Sequence, residues 1–231
     1  MYPPRCPVCD GILYTDDVPK RPKICPECLL SISIISPPYC MKCSKPLEDD
    51  LRELCQDCER KKHVFTRGVA AFSYSKAMKR SMYGFKYNNR REYGKYYSEI
   101  IWEKFGKTIL SWNADVLVPV PLHSARLRKR GYNQAQVLAK ELSVLSGIKV
   151  DENILTRVKN TKPQKELSDK ERNNNIESAF QIRINDLKYN KVILVDDIYT
   201  TGATINESAK VLLNSGVGKV YFITACIGNG F

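Results

Sequence analysis

Apolar and polar positions follow two different rules in this chain, and the change falls near residue 67. From Arg67 onward, apolar runs alternate with amphipathic stretches. RGVAAFSY, residues 67–74, reads as a strand. Lys76–Tyr87 and Glu92–Phe105 place Met78, Met82 and Phe85, then Tyr96, Ile100 and Ile101, at helical spacing, so each predicts a helix with one apolar face. ADVLVPV predicts a buried strand ending at Pro119 and Pro121. Asn133–Ser146, with Val137, Leu138, Leu142 and Leu145 in phase and Gly147 as a stop, predicts a third helix. KVILV is a further strand, Thr204–Asn214 a helix stopped by Gly216, and KVYFITACI a last strand. Strands with unbroken apolar runs, alternating with helices, predict an α/β domain whose parallel sheet is covered on both faces. Ligands of such sheets bind beyond the carboxyl ends of the strands.

The first 60-odd residues lack this periodicity and hold too few large apolar side chains to bury a core unaided. What they have is cysteine: eight of the nine lie before residue 60. The pairs Cys6/Cys9, Cys25/Cys28, Cys40/Cys43 and Cys55/Cys58 are separated by 15, 11 and 11 residues. A Cys-x-x-Cys turn brings two sulfurs to one tetrahedral Zn²⁺, and two turns complete the site. Two structural zinc sites are expected, the first two pairs forming one and the last two the other, with interleaved pairing still open. Four sulfurs per ion leave no place for water, which suits a structural role. His63 is read as a bystander. The expected division is a double zinc-ribbon domain over residues 1–62 and an α/β domain over 63–231.

The N-terminal MYPPRCPVCDG has no basic and apolar leader pattern, and no stretch reaches the ~18 apolar residues of a membrane span. A cytoplasmic protein with no membrane span is therefore expected, and in a reducing compartment paired cysteines read as metal ligands rather than disulfides. The net charge of +12 over 231 residues falls to about +8 once eight thiolates hold two Zn²⁺. A basic surface attracts phosphorylated ligands or nucleic acid.

One run combines strand, acids and turn: VILVDDIYTTGAT, residues 192–204. The strand ends in Asp196 and Asp197, and a hydroxyl- and glycine-rich turn opens the next helix. Gly202 permits close backbone approach. The amides of 201–204 and the hydroxyls of Thr200, Thr201 and Thr204 would surround a phosphate at the helix N-terminus. The acids would accept hydrogen bonds from vicinal ribose hydroxyls. Neither a G-x-x-x-x-G-K-[ST] nor a G-x-G-x-x-G motif is present.

This run resembles the phosphoribosyl pyrophosphate (PRPP) motif of type I phosphoribosyltransferases. The resemblance implies Asp196 and Asp197 as the ribose-binding and catalytic acids, Tyr199, Thr200, Thr201, Gly202, Ala203 and Thr204 as the phosphate cradle, and Mg²⁺ arriving with PRPP. A second block, VPVPLHSARLRKRGYNQAQVLAKEL from Val118 to Leu142, is similar to the ComF family. So are Lys162, Gln164, Leu167, Arg172, Asn175 and Ala179/Phe180 in the stretch from Arg157 onward. That family joins this fold to N-terminal cysteine pairs and is associated with DNA uptake in natural competence. Pro121 and Leu122 would approach pyrophosphate through the VPVPL turn. Arg126, Arg128, Lys129 and Arg130 would neutralise the leaving group or grip a DNA backbone, with Tyr132 stacking on a base. Arg157 and Lys162 would lie on a flap over the site.

The resulting expectation is a type I phosphoribosyltransferase fold with a small zinc-ribbon domain, binding PRPP and handling single-stranded DNA in competence, with a helicase or other uptake protein as partner. The alternative is an active phosphoribosyltransferase with an unidentified nitrogen-base acceptor. No residue stands out as the acceptor's general base, His123 included.

Overall fold

A computed structural model describes residues 3–14, 23–159, 178–183 and 187–228. The central sheet has the order β1-β6-β5-β2, every pair parallel. These strands are Arg67–Ser73 (β1), Val116–Pro119 (β2), Lys191–Tyr199 (β5) and Lys219–Ile227 (β6). Val150 extends the sheet beyond β2 through one parallel bridge to Leu117. Continuous burial along β1, β2 and β6 accounts for their unbroken apolar sequences. A short antiparallel pair, Leu155–Arg157 (β3) with Phe180–Ile182 (β4), stands apart from this sheet.

The predicted helices form: Lys76–Tyr87 (α3), Tyr93–Ser111 (α4), Gln134–Ser146 (α6) and Ala203–Asn214 (α7). α3 starts at a Ser75 cap whose hydroxyl accepts from the Met78 amide, and it buries Met78, Met82 and Phe85 as expected. α4 runs past the predicted Phe105 because its apolar face continues through Ile109, and Trp112 then stacks on Tyr221 at 4.7 Å. α6 is capped by Asn133 and ended by Gly147 in the left-handed conformation. Among the described residues three short helices differ from the sequence expectation: Pro26–Ser31 (α1), Gln56–Arg60 (α2) and Ser124–Arg130 (α5). α1 and α2 each begin just after the first cysteine of a pair, so Cys28 and Cys58 sit on a helical turn.

The cysteine segment closes the free edge of the sheet. Residues 33–35 run antiparallel to β1, with Ile35 N donating to Ala71 O and Ser73 N to Ser33 O at 2.8 and 2.9 Å. Gly68 N donates to Lys42 O, and Ala70 N to the Ser44 hydroxyl, both at 2.8 Å. An edge strand with unpaired amides invites aggregation, and this cover removes the hazard. β1 is thereby buried on its outer side as well.

Candidate functional site

The eight paired cysteines form two clusters, Cys6/Cys9/Cys25/Cys28 and Cys40/Cys43/Cys55/Cys58, so the pairing is sequential. Within each, the four sulfurs lie inside 4.8 Å of one another. Sulfur separations of 3.7 Å (Cys9–Cys25), 3.5 Å (Cys6–Cys25) and 3.6 Å (Cys43–Cys55) match the ~3.8 Å edge of a tetrahedron with ~2.3 Å Zn–S bonds. The Gly11 amide points at Cys9 Sγ from 3.4 Å, the kind of donor a thiolate ligand takes. Both clusters therefore fit Zn²⁺.

The acid pair belongs to β5 itself rather than standing at its end. β5 stays paired with β6 through Asp196↔Thr224 to Tyr199↔Ile227, whereas β2 stops at Pro119, opposite Val195. Beyond that point no strand among the described residues pairs with this edge of β5, so Asp196 and Asp197 lie where the sheet narrows to β5 and β6. Asp197 is not alone there: Lys86 Nζ, from α3, lies 2.8 and 3.0 Å from its two carboxylate oxygens. Asp196 accepts the Asp197 amide at 2.8 Å. Burial first, then the Asp197 charge, pushes the Asp196 carboxyl up to about 7, against the pull of Lys86 and Arg157. Two carboxylates side by side, one paired and one poised to protonate, make a site that gains from a cation or a hydroxyl donor.

The turn after β5 is short. Gly202 adopts a left-handed conformation (φ 78°) as the cap of α7, and its tight turn follows from what lies beneath. A Cβ at Gly202 would collide with the Tyr199 hydroxyl and meet His63 Cε1 at 3.1 Å. Tyr199 lies stacked on Phe222 at 4.9 Å. Its hydroxyl, the Thr201 hydroxyl and His63 Nε2 are buried without a hydrogen-bond partner among the described residues. Such groups are costly unless something completes them, and here all three surround the same turn. His63, read from sequence as a bystander, stacks on Phe65 at 4.9 Å and is held neutral by burial and then by Lys42 and Lys61.

A group of cations lies close to the acid pair. α5 begins at His123, whose Nδ1 accepts from the Ala125 amide, so this histidine is a helix cap. Its last turn carries Arg128, Lys129 and Arg130, favourably placed at a helix C-terminus. Arg157, on β3 over the Phe180 ring, is brought down to about 10 by burial and then by Arg126, while Asp196 opposes that shift. Arg126 is lowered by burial and by Arg130. Arg126, Arg130 and Arg157 thus share one field with Asp196. Pro121 and Leu122 are half-buried between β2 and α5.

A model of the double zinc ribbon domain matches residues 1–59, and one of the phosphoribosyl transferase domain matches residues 88–230. Competence protein F of Haemophilus influenzae is 31% identical over 94% of this chain and 93% of its own. Competence protein ComFC of Bacillus subtilis is 28% identical over 91% and 89%. The DNA utilization protein YhgH of Salmonella typhimurium is 27% identical over 90% and 86%. The chain belongs to the ComF family. Its fold is that of a phosphoribosyl transferase domain behind a double zinc ribbon with two four-cysteine sites.

Within this ComF chain two further expectations change. Tyr132 is 6% exposed, donates its hydroxyl to the Phe85 carbonyl and has Arg91 over its ring at 4.7 Å, so it presents no free face to a base. Together with Asn133, which donates to Val120 O at 3.0 Å, and Gln134, whose side-chain amide donates to Phe85 O at 3.4 Å, it fixes the VPVPL turn against α3. Arg157 sits in a strand rather than on a flap; Lys162 lies outside the described residues. Lys86 was missed altogether. Its signal was a cation at the inner phase of α3, four residues after buried Met82. No helix among the described residues is long and apolar enough to cross a membrane.

Proposed function

We propose that this protein binds PRPP with Mg²⁺ at the acid pair beyond β2 and acts in the handling of single-stranded DNA during natural competence. The observation that carries the reading is the convergence of Asp196/Asp197 and the Gly202 turn at one open edge of β5. A ribose between them would place its hydroxyls on the acids. Its 5′-phosphate would rest against the amides at the start of α7, where the helix dipole favours an anion. Mg²⁺ carried by the pyrophosphate would offset charge on the acids. Arg126, Arg130 and Arg157 would face the pyrophosphate, and Lys86 would be shared between Asp197 and the ligand. The relatives' names, competence proteins and a DNA utilization protein, support the process. The basic charge of the chain supports the polymer.

Catalysis by such a site would come from positioning and from neutralising the departing pyrophosphate. Thermal unfolding with and without PRPP and Mg²⁺ tests the pocket. A rise in Tm that disappears in Asp196→Asn/Asp197→Asn is expected. An equal rise in the variant would reject the assignment. Pyrophosphate release on adding a nitrogen base would extend binding to turnover.

A further inference from the structure

With Tyr132 in the core, the cations of α5 need another aromatic partner if they are to hold a single strand. α3 offers one. Tyr83 and Tyr87 are 55% and 49% exposed, their ring centroids 4.9 Å apart on successive turns. The opposite face of α3 buries Met78, Met82 and Phe85, so these tyrosines are not part of the helix's packing. An i,i+4 pair of this kind is worth only ~0.2–0.5 kcal/mol to a helix, too little to explain two large rings left in water.

The surroundings are cationic. Lys76, Lys79 and Arg80 are exposed on α3, and neither KAMKRSMYGFKY nor SARLRKR contains an acid. Arg130 lies over the Tyr87 ring at 5.1 Å and reaches its hydroxyl at 3.3 Å, which ties the tyrosine pair to the end of α5. Exposed Arg128 and Lys129 continue the charge. At the other end of the stripe, Arg80 bonds the Cys9 carbonyl of the first zinc ribbon at 3.3 Å. Residue 86, between the tyrosines' turn and the acid pair, points inward to Asp197 while Tyr87 points outward.

We infer that Tyr83 and Tyr87 form a base-stacking platform for single-stranded DNA, flanked by α5 cations that track its phosphates and abutting the acid-pair site. This rests on the single-strand reading above and names the surface that would serve it. Stacking on tyrosine requires a base already free of its duplex, whereas arginines and lysines accept any phosphate backbone. The platform is what would select a single strand.

The test is fluorescence anisotropy of the full chain with a labelled oligo-dT and with a duplex of equal length, across a salt series. The variants are Tyr83→Ala/Tyr87→Ala, Tyr83→Phe/Tyr87→Phe and Arg128→Ala/Lys129→Ala. The alanine pair should weaken oligo-dT binding roughly tenfold or more, since each stacked base is worth several-fold in affinity. Its salt slope should stay unchanged, and the phenylalanine pair should bind as the parent does. The Arg128/Lys129 variant should reduce the salt slope by about 1.4, as loss of two phosphate contacts predicts. If the parent binds the strand and the alanine pair binds it equally, the platform is wrong while the single-strand reading survives. If the parent binds no strand at low salt, or prefers the duplex, that reading falls and takes the platform with it. A circular dichroism spectrum and Tm equal to the parent's show that the exposed substitutions leave the fold intact.

Discussion

The first zinc site is held by side chains of the α/β domain, whereas the second caps backbone amides of β1. Around the first, only Cys6 is buried. Asp10, next to the Cys6/Cys9 turn, takes Arg90 at 2.5 Å and the Tyr93 hydroxyl at 2.6 Å, and Arg80 bonds Cys9 O. Around the second, all four cysteines are buried and the adjoining residues Lys42 and Ser44 satisfy β1 amides. Lys42 also donates to His63 O at 3.0 Å and lies over Phe65. Phe65 packs on Phe222 and on Tyr199, whose hydroxyl lies beneath Gly202. One ribbon is a clasp on α3 and α4; the other belongs to the same core as the Gly202 turn. The same Cys-x-x-Cys pairs thus serve two structural purposes, decided by what the neighbouring residues touch.

The sharpest way to break this contrast is to remove one site at a time. Cys55→Ser/Cys58→Ser should abolish cooperative unfolding of the whole chain, because the metal's binding energy is folding energy for a segment integral to the sheet edge. Cys25→Ser/Cys28→Ser should leave a cooperative transition at lower Tm. Calorimetric melting with zinc counted by mass spectrometry decides it, and equal damage from both variants would erase the distinction. Gly202→Ala comes next, since it forces a Cβ onto the Tyr199 hydroxyl at a positive φ. A loss of ~1–3 kcal/mol in denaturant unfolding is expected. Asp10→Ala should cost less, ~1 kcal/mol, because its charged contacts are part-exposed, and it should speed zinc loss to a chelator from the first site alone. Tyr199→Phe should be the mildest: its hydroxyl has no partner among the described residues, so unfolding free energy should hold or rise slightly.

How much of this was legible beforehand depended on whether a residue's role is set by its own run. Met78, Met82 and Phe85 announce a helix by spacing alone, and the acids, hydroxyls and glycine from which a phosphate site is proposed all fall within one short run, VDDIYTTGAT. α5 was invisible because SARLRKR has no apolar face: Leu127, its one large aliphatic, is 40% exposed. β3 and β4 are three residues each and pair across a long insertion, so neither shows periodicity. Tyr132 among cations reads the same whether its ring is free or buried; only the Phe85 carbonyl, 47 residues away, decides. Lys86 and His63 matter through residues far along the chain, Asp197 and Gly202, and no local pattern carries that. The closure of the β1 edge by the zinc segment is likewise a contact between runs.

The raised Asp196 carboxyl also makes the pocket sensitive to pH. Below about 7 this acid is protonated and accepts fewer hydrogen bonds; above it the carboxylate is free to take a ribose hydroxyl or sit beside a metal-bearing ligand. Folding takes up a proton here between the ordinary carboxylate pKa and about 7, so this group's contribution to stability falls as pH rises through that window. Binding of PRPP as proposed would run the other way, favoured by ionisation and releasing the proton. The most direct measurement is therefore calorimetric titration of PRPP with Mg²⁺ into the intact protein and into Asp196→Asn/Asp197→Asn, on either side of that pKa, at about pH 6 and about pH 8. Binding that tightens from the lower pH to the higher, releases protons and vanishes in the variant is the predicted result. No binding to the intact protein at either pH, or binding that survives the double substitution, would contradict it.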